Sequence, residues 1–308
     1  MAVASRVVAV VGPTATGKSA LAIAIAKAVG GEVVNADSMQ LYQGMDIGTA
    51  KVGPAERAEV AHHLLDIWPV TYPASVAEYQ QRARAVIDEL HQRGVVPVLA
   101  GGSGLYVRAA LDRIDFPGTD PQLRAALEEE LAAGGPGPLH ERLAGLDPAA
   151  AAAILPSNGR RIVRALEVVA LTGRPFTAAL PSYDAQENAL YDVVPIGLDL
   201  DDETLDRRVD DRVAAMFAAG LIEEVRGLVA LGLQDGRTAS RALGYQQVLA
   251  MLDGECSEAE AAAATATATR RFVRRQRSWF RRDPRIRWLD AAAPDLVARA
   301  LDLVGAEN

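Results

Sequence analysis

Arg6-Val-Val-Ala-Val-Val11 runs straight into Gly12-Pro-Thr-Ala-Thr-Gly17-Lys18-Ser19, and Ala20 to Val29 follows, rich in alanine and isoleucine. A short β-branched run of this kind reads as a strand buried on both faces. The next eight residues fit the pattern G-x-x-x-x-G-K-[ST], with the strand before it and the helix after it that a phosphate loop needs. Glycines let such a loop curl so that its N–H groups converge on phosphate oxygens, and the helix N-terminus adds a favourable dipole. Gly12, Pro13, Thr14, Ala15, Thr16, Gly17, Lys18 and Ser19 are therefore the expected diphosphate site. The N–H groups of Thr14 to Ser19 and the Lys18 charge face the anion, and the Ser19 hydroxyl is the expected Mg²⁺ ligand.

Outward from this unit, Glu32 to Ala36 reads as a second strand ending at Asp37, and Val76 to Arg93 as an amphipathic helix closed by Gly94. Val95 to Ala100 reads as a third strand, placed near a sheet edge by Pro97. Strands alternating with helices imply an α/β fold, a doubly wound parallel sheet. In such sheets the carboxyl ends of the strands form the ligand crevice, so Asp37 is expected beside the phosphate loop, as a metal ligand, a general base or a helix cap. The third strand ends in Gly101-Gly102 rather than in the acid usual in an NTPase. From about Phe116 strand signals vanish until Val193 to Gly197, and the intervening segments are helical. The expected organisation is a P-loop core over 1–115, a helical insertion over 116–190, and the rest of the core over 191–308, helical after Asp199.

The 308 residues carry a formal net charge of −8, which on its face argues against a nucleic-acid partner. The sum conceals a segregation. Arg270 to Trp288 holds nine arginines and one acid, a net of +8 against −16 elsewhere. Read as a helix, it places Arg270, Arg274, Arg277 and Arg281 on one strip and Arg271, Arg275 and Arg282 on the next. Phe272, Val273, Trp279 and Phe280 fall opposite, as a docking face. Outward arginines suit a nucleic-acid backbone; the competing reading pairs them with the chain's surplus acids. Arg160, Arg161 and Arg164 form a second cluster. Cys256 is the single cysteine, which excludes an internal disulfide and suits a reducing compartment. No apolar run is long enough to span a bilayer, and a cytoplasmic protein is expected. His62 and His63 read as structural.

Along most of its length the sequence resembles the bacterial tRNA dimethylallyltransferases (tRNA isopentenyltransferases), without the zinc-finger extension of eukaryotic members. The resemblance is carried by Gly12 to Ser19, Asp37-Ser-Met-Gln-Leu-Tyr42, Met45-Asp-Ile-Gly-Thr-Ala-Lys51, His62-His-Leu-Leu-Asp66 and Gly101-Gly-Ser-Gly-Leu-Tyr106. It continues through Arg161-Ile-Val-Arg-Ala-Leu-Glu167, Arg208, Arg212 and Met216, Gly220 to Val225, Leu243-Gly-Tyr-Gln246 and Thr269 to Trp279. Ser103 stands where the family usually has threonine, retaining the hydroxyl.

The resemblance implies transfer of a dimethylallyl group from dimethylallyl diphosphate to N6 of the adenosine 3′ of the anticodon in tRNA, with release of diphosphate. It implies a P-loop that holds the isoprenoid diphosphate without splitting ATP, Mg²⁺ as cofactor, and no membrane or obligate protein partner. Asp37 is the implied base, Lys18 with Arg212 or Arg208 the implied charge stabilisers. Ser38, Met39, Gln40, Ser103, Arg124, Arg160, Arg161, Ile162, Val163 and Arg164 are implied tRNA contacts, beside Asp37 and the arginine strip. The competing functions are a P-loop nucleotide kinase and a regulatory RNA-binding NTPase.

Overall fold

In the computed structural model the described residues are 6–176 and 189–305. The chain divides into two compact units, Met1–Asp112 with Ala185–Asn308, and Arg113–Asp184.

The first unit begins with β1 (Arg6–Val11), α1 (Lys18–Val29), β2 (Glu32–Asn35), α2 (Pro54–Glu59), β3 (His62–His63), α3 (Val76–Gln92), β4 (Pro97–Gly101) and α4 (Gly104–Leu111). The second unit holds α5 (Pro121–Gly134), α6 (Pro136–Leu146), α7 (Pro148–Ala153) and α8 (Gly159–Thr172). The chain then returns to the first unit with β5 (Asp192–Asp199), α9 (Asp202–Ala218), α10 (Leu221–Ala230), α11 (Tyr245–Leu252), α12 (Glu258–Phe280), β6 (Arg287–Asp290) and α13 (Leu296–Val304).

The six strands form one parallel sheet in the order β3-β2-β4-β1-β5-β6. β1 is central, and its side chains alternate between two cores. Val7, Ala9 and Val11 pack on one face and Val8 and Val10 on the other, all buried. This two-sided burial is why the strand reads as an unbroken apolar run. The C-terminal ends of β2, β4 and β1 lie side by side, so Asp37, Gly102 and Gly12 converge on one crevice.

Three sequence expectations change. Pro97 does not mark an edge: β4 lies between β2 and β1, and Pro97 is its first residue, where the missing N–H costs little. The segment after Asp199 is not all helical, because Arg287–Asp290 forms the edge strand β6 on β5. The basic segment is likewise not one helix. α12 stops at Phe280, ahead of Asp283-Pro284, since a proline disfavours helical backbone in the residue before it. The two-residue edge strand β3, pairing His62 with Val33, is too short to leave a pattern in the sequence.

The second unit is helical, as expected, but its limits differ from 116–190. By Ala189 the chain already bridges to Asp112, and the Leu190 N–H bonds Leu111 O at 2.9 Å. Residues 177–188 of the expected insertion lie outside the described ones. Its core is Leu127, Leu139, Leu143, Ile154, Ile162, Val163 and Leu166. Asp120, Asp147 and Asn158 cap α5, α7 and α8 through side-chain oxygens.

Candidate active site and nucleic-acid interface

The phosphate loop is shaped by backbone that few residues tolerate. Gly12 has φ +133°, and a Cβ there would lie 2.3 Å from the Leu198 carbonyl oxygen. Ala15 sits at φ 66° and Gly17 at φ 84°. Thr16 Oγ1 and Lys18 Nζ both donate to the Pro13 carbonyl, at 2.9 and 2.6 Å. The N–H groups of Ala15 through Ser19 have no acceptor among the described residues. Five successive N–H groups at a helix N-terminus are an anion-binding concavity.

Thr14 is the exception, and it corrects the expectation that its N–H faces the anion. That N–H donates instead to Gln276 Oε1 at 2.9 Å. Gln276, on α12 and buried, also donates through Nε2 to the Gly102 carbonyl at 2.8 Å. Sequence reasoning takes this residue in only as part of the motif Thr269 to Trp279 and gives it no role, because the arginines around it carry the charge signal.

Asp37 is half-buried at the end of β2. Its N–H donates to Asn35 Oδ1 at 2.9 Å, and its Oδ1 accepts from the Met39 N–H at 3.0 Å. This is a local turn, with no helix following for it to cap. Burial lowers the Lys18 pKa to about 7; Arg212 pushes it the same way and Asp37 opposes both. Burial likewise lowers Arg212, again against Asp37. Two cations and one carboxylate thus share a partly desolvated space.

Asp37 and Arg212 border a cavity of about 600 Å³, a normal size for a small-molecule site, whereas Lys18 is not among its lining residues. Thr14, Asp37, Ser103 and Arg212 supply its polar wall, and Met39, Leu105, Val213, Met216, Phe272 and Trp279 its apolar wall. Trp279 packs so closely that a Cβ on Gly104 would lie 2.1 Å from its ring. Ser38 and Ser103 both line the cavity and bond each other: the Ser38 N–H donates to Ser103 Oγ at 3.1 Å. Gln40 is not among the lining residues; its amide donates to the Thr49 carbonyl at 3.1 Å. Of Arg212 and Arg208, Arg212 is brought to the cavity, with Nη2 3.4 Å from the Thr49 carbonyl, and Arg208 is not; Arg241 also lines it.

The basic helix departs most from expectation. Arg270, Arg274, Arg277 and Arg281 do not stand free. Arg270 pairs with Asp210, and Arg274 with Asp206 at 3.0 Å. Arg277 pairs with Asp199 at 2.8 Å and with Asp202, and Arg281 with Asp199 at 3.0 Å. The acids of β5 and α9 thus neutralise this strip, as the competing reading had it. Arg271, Arg275 and Arg282 are exposed without an ion pair to any described residue. Arg275 also lines the cavity, its guanidinium 5.7 Å from the Phe272 ring centre. The docking face divides too: Val273 and Phe280 are buried, whereas Phe272 and Trp279 face the cavity.

In the helical unit, Arg124 and Arg164 both clamp the fully buried carboxylate of Glu167, Arg164 at 2.7 Å. Arg164 also donates to the Pro117 and Gly118 carbonyls. Arg160 and Arg161 are exposed and form no ion pair with described residues. Ile162 and Val163 are corrected: their side chains lie in the unit's core, 0% and 3% exposed, and offer nothing to a ligand.

Residues 40–283 match the family described as IPP transferase. The chain belongs to that family. It is 66% identical over 303 residues to the tRNA dimethylallyltransferase of Salinispora arenicola, covering 98% of this chain and 87% of that one. Among solved structures, the full-length tRNA isopentenylpyrophosphate transferase of Bacillus halodurans is 37% identical with a TM-score of 0.72, covering 98% and 96% of the two chains. A eukaryotic dimethylallyltransferase captured acting on tRNA is 25% identical with a TM-score of 0.82, covering 99% of this chain and 80% of its own. Membership of the IPP transferase family gives no support to the kinase reading.

Two residues of family motifs brace the loop that leads to Gly48 and Thr49 in the cavity wall. Glu224 accepts the N–H groups of Asp46, Ile47 and Gly48 at 3.1, 2.7 and 3.2 Å, and so holds the loop that presents Thr49. Lys51, nearly wholly buried, ties Tyr42 O, Asp46 and Asp66 together. His63 bonds Glu32 at 2.6 Å and His62 the Val60 carbonyl at 2.7 Å, both away from the cavity. No group of three or more potential metal ligands occurs among the described residues, and no helix there is long and apolar enough to cross a membrane.

Proposed function

We propose that this protein transfers a dimethylallyl group from dimethylallyl diphosphate to N6 of the adenosine 3′ of the anticodon in tRNA, releasing diphosphate. The observation that carries the reading is one cavity in which Thr14 of the phosphate loop, the Asp37 carboxylate and Arg212 meet a wall of methionine, leucine and aromatic side chains. A diphosphate joined to a short branched hydrocarbon needs both halves.

The adenine amine is a weak nucleophile, because its lone pair is delocalised into the ring. As N6 attacks C1 of the dimethylallyl group, the C1–O bond breaks and its electron pair leaves with the diphosphate. Asp37 takes the N6 proton. The N–H groups of Ala15 to Ser19, with Lys18 and Arg212, stabilise the charge growing on the leaving group. An anion there also favours protonated Lys18, which burial alone opposes.

Mg²⁺ fits the donor set. The exposed Ser19 hydroxyl has no hydrogen bond to a described residue, and Mg²⁺ typically takes one or two protein oxygens, completing its shell with phosphate and water. When bound through Ser19, it neutralises diphosphate charge.

The target base leaves its stack to enter the cavity, where Ser38, Met39 and Ser103 line its path. Among the arginines of the basic segment and the helical cluster, Arg271, Arg275, Arg282, Arg160 and Arg161, which have no ion pair with a described residue, are the ones assigned to tRNA phosphates. A tRNA substrate, with no membrane-crossing helix among the described residues, supports a cytoplasmic location. The test is incubation with labelled dimethylallyl diphosphate, unmodified tRNA and Mg²⁺. Label entering tRNA in the absence of ATP, or with no ADP formed when ATP is added, supports the reading. No transfer, or transfer only with stoichiometric ATP cleavage, refutes it.

A further inference from the structure

We propose that Gln276 is a positioning residue for the diphosphate, acting through the phosphate loop. It carries one side-chain amide into the gap between two backbone segments from the ends of neighbouring strands. Its oxygen accepts the Thr14 N–H at 2.9 Å and its nitrogen donates to the Gly102 carbonyl at 2.8 Å. It is 5% exposed, so neither backbone group has water as an easy substitute.

Position and chemistry both matter. Thr14 immediately precedes the five N–H groups that have no acceptor among the described residues. The orientation of the Thr14 peptide therefore sets where that series begins. Thr16 and Lys18 hold the loop from within, both through the Pro13 carbonyl. Gln276 is the hold from outside, and it comes from the arginine-bearing helix α12. Gly102 leaves it room: a Cβ there would lie 2.3 Å from Gln276 Nε2. The neutral amide donates to Gly102 O and accepts from Thr14 N at once. Glutamate loses the donor, and methionine fills the volume but loses both bonds.

The proposal rests on the phosphate loop being an anion site, and the experiment separates the two claims. Full-length wild type, Gln276→Met and Gly102→Ala are compared by calorimetry for binding of inorganic pyrophosphate with Mg²⁺, and by filter binding for tRNA. Gly102→Ala displaces the amide without removing it, so it stands in if Gln276→Met fails to fold. Expected is a loss of roughly tenfold or more in pyrophosphate affinity, the scale of one or two lost buried hydrogen bonds, with tRNA affinity within about twofold. Wild-type pyrophosphate affinity in a folded variant overturns the proposal. So does a parallel fall in both affinities with the melting temperature, which marks a purely structural glutamine. If wild type itself does not bind pyrophosphate, the anion-site reading falls and this proposal with it.

Discussion

The Tyr245 hydroxyl donates to Glu224 Oε1 at 2.6 Å, and the same carboxylate gathers three successive N–H groups of the loop Asp46–Gly48. The fit is tight, since a Cβ on Gly48 would lie 2.4 Å from the Tyr245 ring. The next residue, Thr49, receives Arg212 Nη2 on its carbonyl. Glu224 therefore fixes the cavity wall on which Arg212 rests. Glu224→Ala leaves three N–H groups short of an acceptor and is expected to cost about 1–3 kcal/mol of stability. It should also lower kcat/KM for transfer by more than Tyr245→Phe, which removes one bond. Melting curves and initial rates on both variants check this; equal effects would contradict it.

Asp37→Asn keeps the size of the side chain and an oxygen for the Met39 N–H, but cannot take a proton. Single-turnover transfer should fall by at least roughly two orders of magnitude while tRNA affinity stays near normal. Near-wild-type turnover would remove Asp37 from the base role.

The two arginine strips on and just beyond α12 should behave differently. Replacing Arg271, Arg275 and Arg282 by glutamine is expected to weaken tRNA binding and to flatten the plot of log affinity against log salt, by about 0.7–0.9 for each phosphate left without its arginine. Arg274→Gln, which breaks a surface ion pair with Asp206, should change stability by less than about 1 kcal/mol and leave the salt slope nearly unchanged. The reverse ranking would show that RNA displaces the aspartates.

The buried Glu167 carboxylate gives a pH test. Burial acts to raise its pKa, but the hydrogen bonds from Arg124 and Arg164 outweigh it and hold the carboxyl below its ordinary 4.5. Folding thus favours the ionised form. The stability it adds is fully present above 4.5 and is lost as pH falls through the lower folded value. Wild type should exceed Glu167→Gln by about 1–3 kcal/mol near neutral pH. The gap should narrow in acid, as read by thermal melts from pH 7 downward. A gap that is constant with pH would contradict the ion-pair account.

Much of this is legible in the sequence where local chemistry and tertiary role coincide. The phosphate loop needs its glycines, its lysine and a flanking strand and helix in contiguous sequence, so the motif and the fold class can be read together. Asp37 follows from one topological rule about strand ends. The arginine strip misleads because helical periodicity tells which residues share a face, not what that face meets. Asp199, Asp202, Asp206 and Asp210 come from β5 and α9, some sixty to eighty residues away. The roles of Gln276 and Glu224, though both lie in family motifs, escape sequence reasoning for the same reason: each bonds backbone across 174 to 262 residues, and backbone partners leave no trace in side-chain patterns. The strand β6 is hidden inside a basic run whose charge draws the eye toward a helix.

The most direct test of the central claim is nucleoside analysis of tRNA after incubation with dimethylallyl diphosphate and Mg²⁺. The account predicts a dimethylallyl group on N6 of the adenosine immediately 3′ of the anticodon, one diphosphate released per group transferred, and no nucleoside triphosphate consumed. Unmodified adenosine at that position with active controls, or modification that requires ATP cleavage, would contradict it.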